Sequence, residues 1–395
     1  MSLSSLLPEK IGERILLITG LYYPNVAGSS RLLKDVVDHL NTCGYSVEVL
    51  ALGEAEAPAI HAFDSKQNYK IWRVPPTKIR GTTNIQVLMK ILSLHRHAPY
   101  DLIFSGVGYP LTIVAYFARA FIKKPYMSYC YGEDLTGVPE KMKKLLSVSL
   151  RNAFALLPIS RFAESELVNY GVSEKIIHRV PCAIEMAPYV NVDPQAVEKM
   201  RQEWGLSGKR VIFTMARLEA RKGHDIILQG LPSVVEQIPD VHYLIVGKGD
   251  PAPLTELATS LGVADRLTIV SYVSDEHLPV VYSLCEVYAM VSRRDPVTQF
   301  LEGFGICYLE AAACGKPCVA GNEGGCPDAV ADGETGILVD PTSPEQVSAA
   351  LLKILTDPVK AQEMGEKGRQ RVKREFTRKT MLETVEAIVG KVIHS

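Results

Sequence analysis

The chain has 395 residues, is 47% hydrophobic, and sets 43 basic against 44 acidic residues for a formal net charge of −1. That length predicts two or three domains with sizeable cores. The charge balance argues against a nucleic-acid-binding protein, and no apolar run reaches the ~20 residues that a membrane-spanning helix needs. The N-terminus lacks a charged segment followed by an apolar one, so no signal peptide is expected and a cytoplasmic location follows. Eight cysteines are scattered through apolar segments. Cys314, Cys318 and Cys326 lie close together, yet no Cys-x-x-Cys pair occurs. Reduced thiols and no metal-ligand set are expected.

Taken in order, Arg14 to Gly20 is a short apolar run ending in glycine, which suits a buried parallel strand. Tyr22 to Arg31 is a loop of small residues containing Gly28. A helix with apolar spacing at Leu32, Leu33, Val36, Val37 and Leu40 follows, with Ser29 or Ser30 as its expected N-cap. This is the first half of a βαβ unit, with an anion site possible at the loop. Strands are predicted at 47–52, 70–74, 101–106, 125–131 and 153–160, with helices between them, one at 111–121 and another capped by Ser160. The strand at 125–131 opens into Gly132, Glu133 and Asp134. Strands alternating with helices predict a parallel sheet covered on both faces.

Around Val180 to Pro194 the pattern lapses into Pro, Ala, Tyr and Asn, which marks a linker. It then restarts with strands at 211–216, 242–249, 267–270, 287–291 and 317–321. The predicted fold class is therefore α/β, with two Rossmann-like doubly wound parallel sheets in series and a cleft expected between them. Residues 1–190 form the first domain and 191–377 the second. Residues 378–395 are an amphipathic C-terminal helix that could pack back on the first domain.

Ligands of such sheets bind beyond the C-terminal ends of strands. Arg217, Lys222, Gly247, Gly249 and the turn Glu302-Gly-Phe-Gly-Ile-Cys-Tyr-Leu-Glu310 all follow strand ends. Gly303 and Gly305 let backbone approach a ligand, and the helix starting at Ile306 offers N–H groups to an anion. Arg217 and Lys222, five residues apart ahead of a helix, suit a diphosphate. Singly, either is more often a surface charge. Glu310 could accept hydrogen bonds from a ribose diol and Glu302 from a sugar hydroxyl. Read alone, the two acids could equally be a general acid/base pair.

The segments Ala216-Arg-Leu-Glu-Ala-Arg-Lys-Gly-His-Asp225, Val246-Gly-Lys-Gly249, Glu302 to Pro317, and Gly324-Gly-Cys-Pro-Asp328 through Asp340 resemble the retaining glycosyltransferases of family 4. The resemblance covers nearly the whole chain and implies the two-Rossmann-domain GT-B architecture. It implies that Arg217 and Lys222 bind the donor diphosphate and stabilise the leaving group. Glu302 contacts the donor sugar, Glu310 the ribose, and Gly247 belongs to the donor-binding strand end. Phe304, Gly305 and Ile306 offer backbone N–H groups. Gly28 matches the family's glycine-bearing loop, with Ala27-Gly28 where two glycines are usual. Tyr131 stands where the family often has a His that touches the transferred sugar.

The implied reaction moves a hexose from a nucleotide-diphosphate sugar to a glycan, glycolipid or small-molecule hydroxyl. Similarity of 292–306 to mannosyltransferase-like members tilts the donor toward GDP-mannose, with UDP-glucose or UDP-N-acetylglucosamine as alternatives. No Asp-x-Asp occurs, so no metal cofactor is expected. Basic-apolar stretches at 87–97 and 139–151 could rest on an anionic bilayer as a peripheral contact, or be ordinary helices packed on their own domain. A nucleotide-sugar epimerase, a phosphorylase and a non-catalytic nucleotide-sugar-binding protein are the rivals. A dinucleotide dehydrogenase is disfavoured because the first βα turn lacks Gly-x-Gly-x-x-Gly.

Overall fold

The computed structural model describes residues 12–24, 28–53, 57–77 and 82–395. The N-terminus at 1–11 and Ala27 lie outside them. The chain divides into two compact units, Met1–Cys182 with Lys379–Ser395, and Ala183–Arg378.

The first unit holds six strands, β1 (Arg14–Thr19), β2 (Ser46–Leu52), β3 (Ile71–Val74), β4 (Leu102–Ser105), β5 (Tyr126–Cys130) and β6 (Ala155–Pro158). They pair in parallel in the order β3-β2-β1-β4-β5-β6. The second unit holds β7 (Arg210–Met215), β8 (Val241–Val246), β9 (Leu267–Val270), β10 (Val287–Met290), β11 (Cys318–Gly321) and β12 (Gly336–Val339). Their order is β12-β11-β10-β7-β8-β9. Counted from the first strand of each unit, both sheets run 3-2-1-4-5-6, the order of the dinucleotide-binding fold. The chain reverses its direction of travel between β1 and β4, and again between β7 and β10. In this fold the loops leaving such strands diverge, and ligands bind beyond that C-terminal edge of the sheet.

Helices cover both faces of each sheet, so the strands need apolar side chains on both sides. β1 buries Ile15, Leu16, Leu17 and Ile18, and every residue of β8 is buried. The one buried imidazole of β8, His242, is hydrogen-bonded to Thr268 Oγ1 at 2.8 Å, which offsets the cost of placing a polar ring in the core. Ser160 caps the Arg161–Asn169 helix, its hydroxyl accepting from the Ala163 N–H at 3.1 Å.

One sequence expectation changes here. The first helix begins at Gly28 rather than after Ser29 or Ser30 (it spans Gly28–Thr42). Ser29 and Ser30 therefore lie inside the first turn, where Ser30 is fully buried. The stretch at 139–151 is the Glu140–Arg151 helix, whose Leu146 and Leu150 belong to the core of the first unit with Met142 and Leu145 packed against it. Its apolar face is thus already covered, while Lys141, Lys143 and Lys144 are exposed. In the Thr82–His97 helix, Val87, Ile91 and Leu94 are buried, and Ile85 and Met89 stay exposed. Among the described residues, no helix is long and apolar enough to cross a membrane.

The C-terminal Arg378–Ile393 helix buries Met381, Leu382, Val385, Ile388, Val389 and Val392. Almost all of it groups with the first unit although the second unit precedes it in sequence. Tyr129 on β5 donates its hydroxyl toward the Met381 sulfur at 3.9 Å.

Candidate active site

The switch point of the second unit gathers most of the residues singled out in the sequence. β7 ends at Met215, and the chain passes Arg217 and a short helical turn, Ala220–Lys222, before Gly223 starts the His224–Gln237 helix. β10 ends at Met290, and a long loop leads to Glu302 and the Ile306–Ala313 helix. Neither helix has a side chain capping its N-terminus. Uncapped N–H groups at two helix starts beyond adjacent strands form an anion-favouring edge.

Gly247, just past β8, is fixed by crowding. A Cβ there would lie 1.8 Å from the Ala216 carbonyl oxygen, so only glycine lets the ends of β7 and β8 pass. Gly305 has a φ of +86° and caps the Ile306–Ala313 helix, and a Cβ would strike the Tyr308 ring at 2.5 Å. Both glycines therefore shape the backbone of the edge, whatever else they contact.

The charged residues are arranged differently from the sequence expectation of two cations waiting for a diphosphate. Lys222 and Glu302, 80 residues apart, form an ion pair with side chains only 12% and 16% exposed. Burial opposes charge on both, and the pairing overrides it. The Lys222 ammonium, with Arg221 and the Phe304 N–H, holds the Glu302 carboxyl below its ordinary range. Against the pull of burial, Glu302 holds Lys222 above the ordinary range for a lysine. The ammonium has three donors, so one bond to Glu302 leaves others for a ligand. The Phe304 side chain is 2% exposed and packs edge-on against Phe376 at 5.6 Å. Its ring is core, and its N–H faces the Glu302 carboxylate.

Arg217 is the exposed member, 64% accessible, and pairs with Glu219 Oε1 at 2.5 Å. The other Glu219 oxygen accepts from Arg221 Nε at 2.9 Å. Glu219 thus ties two arginines into the turn that carries Lys222. Neither Glu219 nor Arg221 stood out in sequence, because alternating charge in a loop is the ordinary signature of a solvated surface.

Glu310 is buried in the second turn of its helix, and both of its oxygens are occupied. Oε1 accepts from the Tyr189 hydroxyl at 2.9 Å and Oε2 from the Tyr282 hydroxyl at 2.6 Å. The two tyrosine rings meet edge to face, 6.1 Å apart. An ionised carboxylate has about four acceptor positions, so this holder orients Glu310 while leaving it able to accept more. Tyr189 and Tyr282 were invisible as site residues, since each reads as an ordinary apolar-side aromatic.

His224 orders the same turn. Its Nε2–H donates to the Arg217 carbonyl at 3.0 Å, and the Tyr243 hydroxyl lies 3.3 Å from Nδ1. Burial pushes the imidazole down to about 4, only partly opposed by the Arg217 carbonyl. An unfolded imidazole titrates near pH 6.5. As pH falls from about 6.5 to about 4 the unfolded chain gains a proton that the folded chain refuses, so stability drops with acid. The full span is worth on the order of 3 kcal/mol. Urea unfolding followed from pH 7 down to about 4.5 should show a falling midpoint, with a shallower slope in His224→Asn. An unaltered slope would assign the effect to His242, which burial and Lys209 also push to about 4.

In the first unit, Gly28 is exposed at the start of its helix. Tyr131 follows β5, stacks on Tyr129 with ring centres 6.1 Å apart, and has an enclosed hydroxyl with no hydrogen-bond partner among the described residues. Its N–H donates to Asp134 Oδ1 at 2.9 Å, and the Gly108 N–H donates to Oδ2 of the same carboxylate at 2.6 Å. Asp134 thus joins the loops after β4 and β5 and fixes the backbone that presents Tyr131.

Two Rossmann-like sheets, the second with a cationic turn at its switch point, define the GT-B class. Comparison with known proteins agrees. The Glycosyl transferases group 1 model matches residues 196–371 and the Glycosyltransferase Family 4 model matches residues 26–187. A GDP-mannose-dependent alpha-(1-6)-phosphatidylinositol monomannoside mannosyltransferase of Mycolicibacterium smegmatis is 30% identical over 361 residues, covering 90% of this chain and 92% of the relative. The protein of the same description from Mycobacterium tuberculosis is 27% identical over 366 residues, covering 91% and 93%. Among solved structures, Anabaena HepE in complex with UDP and glucose superposes with a TM-score of 0.81 at 18% identity, covering 96% of this chain and 100% of that one. Sucrose-phosphate synthase of Thermosynechococcus elongatus gives 0.82 at 21% identity, covering 97% and 99%. The chain belongs to glycosyltransferase family 4, and it is a glycosyltransferase.

Proposed function

We propose that this enzyme transfers mannose from GDP-mannose to a hydroxyl of a lipid-linked glycan, with retention at the anomeric carbon and without a metal on the diphosphate. The observation that carries this reading is the buried Lys222–Glu302 pair at the switch point. It places a fixed cation beside a carboxylate where a sugar diphosphate needs one of each. The similarity to GDP-mannose-dependent mannosyltransferases, which extends over nine-tenths of the chain, supports the choice of donor.

In this reading the diphosphate lies against the two uncapped helix starts, with Arg217 and Lys222 on its oxygens. The C1–oxygen bond to the diphosphate breaks as the acceptor oxygen bonds C1 on the same face. The acceptor's proton passes to the departing phosphate oxygen, so no side chain is needed as base. Glu302 holds Lys222 in place and accepts from a sugar hydroxyl, and Glu310 accepts from the ribose. The charge neutralisation that a metal would supply falls to Arg217, Lys222 and the helix ends. In the first unit, the enclosed Tyr131 hydroxyl is assigned to the sugar and the Gly28 helix start to substrate phosphate. Lys141, Lys143 and Lys144 are assigned to electrostatic contact with an anionic bilayer that carries the acceptor.

One experiment tests these assignments together. Thermal shifts are measured with GDP-mannose, GDP-glucose, UDP-glucose and UDP-N-acetylglucosamine, and turnover of the best binder is followed with a phosphatidylinositol-mannoside acceptor in anionic vesicles. GDP-mannose should give the largest shift, an α-mannosyl product, unchanged turnover in chelator, and co-sedimentation with vesicles that high salt releases. A larger shift and turnover with a UDP-sugar would overturn the donor assignment. A β product would overturn retention, loss of turnover in chelator that Mg²⁺ or Mn²⁺ restores and Zn²⁺ does not would overturn the metal-free step, and no binding to anionic vesicles at low salt would overturn the bilayer contact.

A further inference from the structure

We propose that the first unit carries a zinc site, formed by His39, Cys43 and Glu386, that joins its first helix to the last helix of the chain. None of the three is among the switch-point residues above. His39 lies in the final turn of the Gly28–Thr42 helix, and Cys43 follows directly, its N–H still bonded to the His39 carbonyl at 2.9 Å. A spacing of four puts both side chains on one helix face. Glu386 comes from the Arg378–Ile393 helix, 343 residues beyond Cys43.

Three atoms form a closed triangle. His39 Nε2 is 3.0 Å from Glu386 Oε2, Cys43 Sγ is 3.3 Å from the same oxygen, and Cys43 Sγ is 3.5 Å from His39 Nε2. Tetrahedral zinc, with bonds of about 2.0–2.1 Å to nitrogen, 2.0–2.2 Å to oxygen and 2.3 Å to sulfur, requires ligand edges of about 3.3–3.5 Å for N···O and about 3.5–3.7 Å for either edge to sulfur. The triangle therefore needs to open by about 0.3–0.5 Å on its N···O edge, and by less on the edges to sulfur, to take the ion.

The charges agree. Thiolate and carboxylate supply two negative charges against the two positive charges of zinc, and the imidazole binds neutral. The ion would also sit at the negative end of the Gly28–Thr42 helix. All three residues are half-buried, with the His39 side chain 21% and the Glu386 side chain 15% exposed. Thiolate and imidazole together select zinc over magnesium or manganese. The sequence cluster Cys314, Cys318 and Cys326 drew attention away from this set, whose third member is set by the fold.

The full chain, treated with chelator and dialysed, is titrated with Co²⁺ and then Zn²⁺. One equivalent of Co²⁺ should give a thiolate-to-cobalt charge-transfer band with visible absorption of tetrahedral intensity, and Zn²⁺ should bleach both. Cys43→Ser should abolish the band, and Glu386→Gln should keep it while weakening the metal at least about tenfold. Cys314→Ser should change nothing. Zinc should raise the thermal midpoint of the parent and of Cys314→Ser but not of Cys43→Ser. Absence of the band in the parent, or a band that survives Cys43→Ser, would overturn the site and leave a hydrogen-bonded ion pair with a neighbouring thiol.

Discussion

Lys222→Ala should lower turnover by roughly 10²-fold or more, the scale of losing one preorganised donor to a developing anion. The same substitution has a structural consequence that must be separated from the chemical one. Lys222 and Glu302 are 12% and 16% exposed and neutralise each other. Removing the ammonium alone leaves a buried carboxylate without its partner, a change that typically costs about 3–5 kcal/mol. A slow, unstable Lys222→Ala enzyme would thus be ambiguous. The double substitution Lys222→Met with Glu302→Gln removes both charges and nearly preserves shape, and replacing a buried ion pair in this way is often close to neutral. It should recover most of the midpoint of urea unfolding while turnover stays down by at least about 10². Parent-like turnover in the double variant would reduce Lys222 to a structural cation and shift the leaving-group role to Arg217.

That dependence of one residue on another also marks what could be read without coordinates. Leu267–Val270 and Ile306–Ala313 were bounded correctly because a short apolar run and an apolar helix closed by Gly and Pro each carry local signals. The two sheets were legible for the same reason, since parallel strands covered on both faces are nearly unbroken runs of Val, Ile and Leu. Arg217, Lys222, Glu302 and Glu310 stood out in the sequence as candidates because the segments that carry them come after strand ends. Their partners did not. Nothing local tells that Lys222 meets Glu302, or that Tyr189 and Tyr282 grip Glu310, because such pairings are made by tertiary packing across 28 to 121 residues. Gly247 looked like ligand backbone, and only the approach of Ala216 shows that the strand ends themselves require it. The helix start at Gly28 was missed because a buried serine and a capping serine look alike in sequence.

Glu310→Gln should raise the donor KM by roughly 10- to 100-fold and change kcat by far less, because a hydrogen bond to a charged acceptor is worth about 1.5–3 kcal/mol. The amide is nearly isosteric, and hydroxyls can both donate and accept, so the Tyr189 and Tyr282 contacts can rearrange without leaving a buried group unpaired. Stability should therefore move little, and the loss can be assigned to the ligand. A cycle with the nucleotide sharpens the assignment. GDP should bind the parent roughly tenfold or more tightly than its 2′-deoxy or 3′-deoxy analogue, and that gap should nearly close in Glu310→Gln. If the deoxy analogues lose as much affinity in the variant as in the parent, Glu310 does not hold the ribose. If Glu310→Gln instead lowers kcat and leaves KM alone, the carboxylate acts on the reacting sugar. The general acid/base reading of the two acids would then return, with Glu302 and Glu310 as a pair and Lys222 as the group that keeps Glu302 ionised.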